Sequence, residues 1–417
     1  RVALITLALV TPSIVTSFCG LIYPEANVIF WAACLVWSVQ RFEQTRSRSC
    51  AVAAMISTQF MLYYKETVLL LLLGFCVGRL LLRCQNAPQA GWDFSRLRDP
   101  ESRLDMCVAA MAVPFLLFYL AAMYPNYRTQ YADMYRLQLG QVLRSYLKVD
   151  LALWVFVAVV LARIILILRR RVAPSLLWDG LALGGVAYVV GYLYLQMYAV
   201  YYLAPADLIA VLYLGRLAFL SVENMGAGAR AGVVALLFLI ALQDLSLSAF
   251  RMYERKNVIH AKAELGRVIK ARYESGQQRM RLFFPAAKPY HIMEFASYLN
   301  YLGVPMERLP PDSTGRVQIV GRTIEQDGRC MFYRSFACHT GNSPESGDLI
   351  VVLPDDSSHA EKFESPAQRG SEETLLFYSP RPVIPQWLRP YVNRLHVGSP
   401  RTAVPDRWLD ASVTVWK

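Results

Sequence analysis

From residue 1 to about 250 the chain is a succession of long apolar runs broken by short polar turns, and from about 251 onward apolar positions recur at the spacing of strands and amphipathic helices. A bilayer core calls for roughly 20 apolar residues per helix. By that yardstick spans fall near 2–22, 27–41, 49–63, 66–83, 105–123, 150–168, 176–200, 205–221 and 230–250, about nine in all. The pattern predicts a polytopic α-helical membrane domain over 1–250 and a C-terminal α/β domain over 251–417.

The second part opens with a helix leaving the membrane, where Val258, Ile259, Leu265, Val268 and Ile269 recur among Lys and Arg. A short strand follows at 281–285, then a helix from Tyr290 to Leu302 that ends at Gly303. Val317 to Ile324 and Cys330 to Phe336 read as two strands of a hairpin turning at Asp327-Gly328. Asp348 to Leu353 reads as a buried strand stopped by Pro354-Asp355-Asp356. That acidic pair suits either turn chemistry or a hard cation.

Charge assigns sides. Arg41, Arg46 and Arg48, then Arg83, Arg96, Arg98 and Arg103, then Arg169 to Arg171 fill alternate connections, and positive loops stay cytoplasmic. The expectation is a multi-pass protein of the cell inner (plasma) membrane. Everything after Phe250 then lies on the periplasmic or extracellular side. The segment 124–149 falls on that side yet carries Arg128, Arg136, Arg144 and Lys148 among Tyr124, Tyr127, Tyr131, Tyr135 and Tyr146. It reads as an interfacial helix, acting as an anchor or as a lid over a phosphorylated lipid. The net charge of +12 is dispersed over loops, with no recognition module for nucleic acid.

Three polar stations then share the outer face: Tyr23-Pro24-Glu25, Tyr63-Tyr64-Lys65-Glu66, and Tyr201-Tyr202 running on to Pro205 and Asp207. Glu25 and Asp207 suit the N-termini of the helices they precede, where an acid gains about 0.3–1 kcal/mol. Lys65, read at a helix N-terminus, runs against that gradient, which suggests an anionic partner such as phosphate. Arg163, Asp179 and Asp244 lie near span ends and are expected to snorkel. With few charges expected in mid-span, a transporter is disfavoured.

Cys19, Cys34, Cys76 and Cys107 read as small hydrophobes inside spans, and only Cys330 and Cys338 lie in the exported part, where they are able to bridge. The five histidines are scattered, and no CxxC, metal spacing or Ser/His/Asp order stands out. The chain opens on Arg1 without a signal-peptide cleavage pattern, which reads as a piece lacking its start.

A Pro-Glu helix start, a basic loop, an Ala-rich span ending in Tyr-Tyr-Lys-Glu, a Leu-rich span, and later Tyr-Tyr-Leu-Ala-Pro together resemble the GT-C membrane glycosyltransferases. The branch is that of protein mannosyltransferases and the aminoarabinose transferase of lipid A. The likeness covers 1–250 and rests on short motifs in order. It implies an inverting transfer of sugar from a polyprenyl-phosphate donor to a glycan, lipid or protein acceptor outside the membrane, with a divalent metal allowed but not required. Glu25 matches the family's acid at the outer end of a span and Lys65 the lysine associated with the lipid phosphate. Glu66 is a further catalytic candidate. Arg128, Arg136, Tyr201 and Tyr202 are the remaining candidates for the lipid-phosphate end. The family's usual catalytic acid, on the first external loop, has no counterpart here. The alternatives are a polysaccharide polymerase or ligase of another fold, and a non-enzymatic envelope assembly or glycan-binding protein.

Overall fold

A computed structural model describes residues 8–19, 24–85, 92–123, 138–222, 226–276, 280–285, 289–307, 317–321, 338–341, 343–353, 374–377 and 411–415. The chain divides into two compact units, Arg1–Met252 and Tyr253–Lys417.

The first unit is helical. Its elements are α1 (Pro12–Cys19), α2 (Pro24–Thr45), α3 (Arg48–Tyr64), α4 (Val68–Gln85), α5 (Pro100–Ala110), α6 (Ala112–Phe118), α7 (Leu139–Val149), α8 (Leu151–Leu168), α9 (Leu176–Tyr194), α10 (Ala204–Val222) and the first part of α11 (Ala227–Glu274), whose residues after Met252 belong to the second unit. A 3-10 turn, Val200–Leu203, leads into α10. Among the described residues six helical stretches are long and apolar enough to cross a membrane: Val68–Gln85, Pro100–Ala122, Leu151–Leu168, Leu176–Tyr194, Val200–Leu220 and Ala227–Ala249. The nine expected spans are therefore six by this measure, α1 to α3 falling outside it. One boundary also moved: the span expected to reach 200 stops at Tyr194. The span expected near 230–250 and the helix expected after it are one continuous helix, Ala227–Glu274.

The tightest packing in this unit is between α4 and α9. Each carries two glycines four residues apart, Gly74 and Gly78 on one, Gly180 and Gly184 on the other. A Cβ on Gly184 would come within 2.7 Å of the Leu71 carbonyl oxygen. Small residues at this spacing let helix backbones approach where lipid supplies no hydrophobic drive. Pro114 falls inside an otherwise helical stretch and lacks an N–H. The break between α5 and α6 at Met111 lies just ahead of it, and the Gln59 side chain donates to the Met111 carbonyl at 2.7 Å.

The second unit carries a six-stranded sheet in the order β3-β2-β1-β4-β6-β5. Its strands are β1 (Met280–Phe284), β2 (Val317–Gly321), β3 (Cys338–Thr340), β4 (Leu349–Val352), β5 (Thr374–Phe377) and β6 (Ala411–Val415). The first four are parallel, while β6 runs antiparallel to both β4 and β5. Helix α12 (Pro289–Tyr301) lies in the connection from β1 to β2 and ends before Gly303, whose φ of +88° suits glycine. Leu282, Phe284, Ile319 and Val351 pack with Ile292, Phe295 and Leu265 on one face; Phe283, Val320 and Ile350 cluster separately. Near-continuous apolar strands are what burial on both faces of a parallel sheet requires. The expected hairpin partner at 330–336 lies outside the described residues, and both described neighbours of β2 are parallel.

Candidate functional site

Lys65 is not where the sequence pattern put it. It is the C-terminal cap of α3, extended at φ −156° and ψ 117°, its N–H bonded to the Met61 carbonyl, and α4 starts only at Val68. A cation is favoured there. Its ammonium pairs with Glu25, in the first turn of α2, where an acid is favoured in turn. The anion that the sequence reading sought outside the protein is met by the chain itself.

Around this pair the aromatic residues close in. The Lys65 ammonium lies 4.4 Å from the centre of the Tyr202 ring and 6.0 Å from that of Tyr201. Tyr202 stacks on Tyr192 at 5.1 Å, and the Tyr192 hydroxyl bonds Thr67 at 2.9 Å. Glu25 is fully buried, and its Oε2 has no hydrogen-bond partner among the described residues; Lys65 keeps 14% of its side chain exposed. In such a setting desolvation penalises each charge and their mutual attraction offsets it, so removing either partner leaves a buried charge uncompensated. Of the expected site residues, Glu25, Lys65, Tyr201 and Tyr202 therefore come together. Glu66 does not join them: it is exposed in the turn between α3 and α4. Arg128, Arg136, Cys330, Asp355 and Asp356 lie outside the described residues.

A second group of acids was not expected. Asp207 lies in the first turn of α10, where an acid is favoured. It accepts from the Ser13 hydroxyl of α1 and lies within hydrogen-bonding reach of Asp150. Asp150 caps the start of α8, accepting from the Leu153 N–H at 2.9 Å. Asp244 of α11 is 1% exposed and meets Thr11. It does not snorkel, and neither does Asp179. Asp179 is held by Arg163 through both carboxylate oxygens at 2.7 and 3.1 Å, and by the Tyr213 hydroxyl at 2.7 Å. Asp179 and Asp244 both lie near the ends of their spans, as expected, but they are buried there. An aspartate inside an apolar run, such as Asp244, was the available signal.

The opposite end of the helices is also charged. Arg79, fully buried, bonds Asp105 at 2.9 Å and Glu43 at 2.8 Å, while Arg83 reaches Glu101 at 3.4 Å and Arg46 pairs with the same Glu101. This network ties the end of α2, the end of α4 and the start of α5 together.

Among the described residues no group of three or more His, Cys, Asp or Glu is placed to hold a metal ion. No family model, curated protein or solved structure matches the chain.

Proposed function

We propose that the chain is a membrane glycosyltransferase of GT-C type, moving a sugar from a polyprenyl-phosphate donor to an envelope glycan, lipid or protein on the outer side of the membrane. In this reading nine helices span the bilayer, α1 to α3 included. The arginine-rich ends face the cytoplasm, the Lys65 end faces outward, and the α/β part is periplasmic. What supports the reading is one convergence. Glu25, Lys65 and Tyr202, from three separate segments, meet at the end of the unit away from the basic connections.

Displacing a phosphate from an anomeric carbon needs positive charge near the leaving oxygen. Lys65 supplies it from a site where an aromatic ring and a buried carboxylate fix the ammonium. Glu25 then acts as a positioning residue, because its charge is committed to Lys65. Glu66, exposed beside Lys65, stays a candidate contact to the acceptor. In membranes given labelled polyprenyl-phosphate sugar, Lys65→Ala is expected to lower transfer by about 10²–10³-fold. Glu25→Gln should follow it with folded protein still present. Normal turnover in both variants would remove this site from the reaction.

A proton-coupled transporter is the second reading, favoured by the buried carboxyls that lack a cation among the described residues. It predicts proton movement with substrate and no sugar transfer.

A further inference from the structure

With Glu25 committed to Lys65, the reaction above still needs a group to take the acceptor's proton. A pair of carboxyl groups stands next to that site. Asp150 and Asp207 lie within hydrogen-bonding reach of each other and are 9% and 1% exposed. Ionised carboxylates only accept hydrogen bonds, so two of them bond to each other only when one carries a proton. Asp207 Oδ1 has no donor among the described residues, although Oδ2 receives the Ser13 hydroxyl and Asp150 the Leu153 N–H.

Among the described residues the surroundings add no neutralising charge. Asp244, itself buried with an unpartnered Oδ2, faces the pair from α11. Among the described residues the Tyr146 hydroxyl of α7 lies near Asp207, with Tyr198 and Tyr202 near Tyr146, and Tyr146 and Tyr198 line a cavity with Asp150. No Lys, Arg or His of the described residues pairs with either carboxyl. This small cavity, with about 10 Å³ open to the centre of a water molecule, is lined by Ser13, Tyr146, Asp150, Tyr198, Val200 and Leu203 and reaches the pair at Asp150; that volume is about the minimum for one water. The 3-10 turn divides the two sites: Val200 and Leu203 line this cavity, while Tyr201 and Tyr202 lie against Lys65.

We infer that Asp150 and Asp207 hold one proton between them and, by way of a water in this cavity beside Asp150, take up the proton that the acceptor hydroxyl gives up during sugar transfer. The second half of the statement rests on the transferase reading; the shared proton does not. In the step, the acceptor oxygen bonds the anomeric carbon as the bond from that carbon to the phosphate oxygen breaks. The electron pair of the broken bond stays on the phosphate, beside Lys65. The acceptor's proton goes to the carboxyl pair, turning it from a monoanion into a neutral diacid that later loses the proton to water.

Infrared spectra of the full chain in lipid nanodiscs, titrated with acid and base, test the shared proton directly. A protonated-carboxyl carbonyl band is expected at neutral pH, and one equivalent of it should vanish in Asp150→Asn and in Asp207→Asn alike. Its absence in the parent, or its survival in either variant, overturns the pairing. Neutral, isosteric Asn at a site lacking a cation favours retention of the fold, and the two variants check each other. For the role in transfer, Asp207→Asn is expected to slow turnover by about 10²–10⁴-fold and flatten the acid limb of the pH profile, with donor KM unchanged. Normal turnover with the band lost overturns that role. A parent protein that shows the band and transfers no sugar overturns the transferase reading and leaves the shared proton standing.

Discussion

The two ends of the helical unit both bury charge, but they balance it differently. At the basic end Arg46, Arg79 and Arg83 face Glu43, Glu101 and Asp105, three cations to three anions. At the other, Lys65 stands alone among the described residues against Glu25, Asp150, Asp207 and Asp244. A balanced buried network fixes helix positions, because each charge is held by its neighbours. An unbalanced one must hold protons or meet a charged ligand, and that is the behaviour of a site.

The sharpest way to break the contrast is at Arg79. Arg79→Met leaves Asp105 and Glu43 only the longer contacts to Arg83, at 3.7 and 3.9 Å, and a loss of about 3–5 kcal/mol in unfolding stability is expected from denaturation in micelles. Gly184→Val drives a side chain into the Leu71 carbonyl; about 1–3 kcal/mol should be lost, with the charged groups of both ends intact. At the anion-rich end the sign should change. Asp244→Asn removes a carboxyl that lacks a cation, so stability should hold or rise by about 1 kcal/mol, where Asp105→Asn at the balanced end should fall by more than that. A fall of the same size in both would erase the distinction between the ends. The smallest effect is expected from Tyr202→Leu, which removes the ring under Lys65. It is worth about 1 kcal/mol, or roughly a fivefold rise in the donor concentration needed for half-maximal transfer.

Some of this was legible in the residue pattern. The long apolar runs announce membrane-crossing helices, and the limits of β1, α12, β2 and β4 fall within a few residues of the expected ones. The turn at Lys65-Glu66-Thr67 was placed correctly as well, but its polarity was not. Which side of a tight turn a residue belongs to depends on backbone angles that a Tyr-Tyr-Lys-Glu string does not fix. Reading Lys65 on the wrong side turned a favourable helix C-terminus into an apparent demand for an outside anion. The snorkelling expectation for Asp179 and Asp244 failed for a related reason: distance from a span end says nothing about whether a neighbouring helix covers that side chain. Arg163 and Tyr213 cover Asp179, and Thr11 meets Asp244.

The residue string alone determined the periodicities: runs of bilayer length, the glycine spacings of α4 and α9, and the apolar strands of a parallel sheet. These are local consequences of which side chains water rejects. Which acid meets which cation was decided only in three dimensions. Lys65 finds Glu25 and Asp150 finds Asp207 across tens of residues, because helix packing sets those distances, and the strength of an electrostatic interaction depends on distance and burial, not on order along the chain.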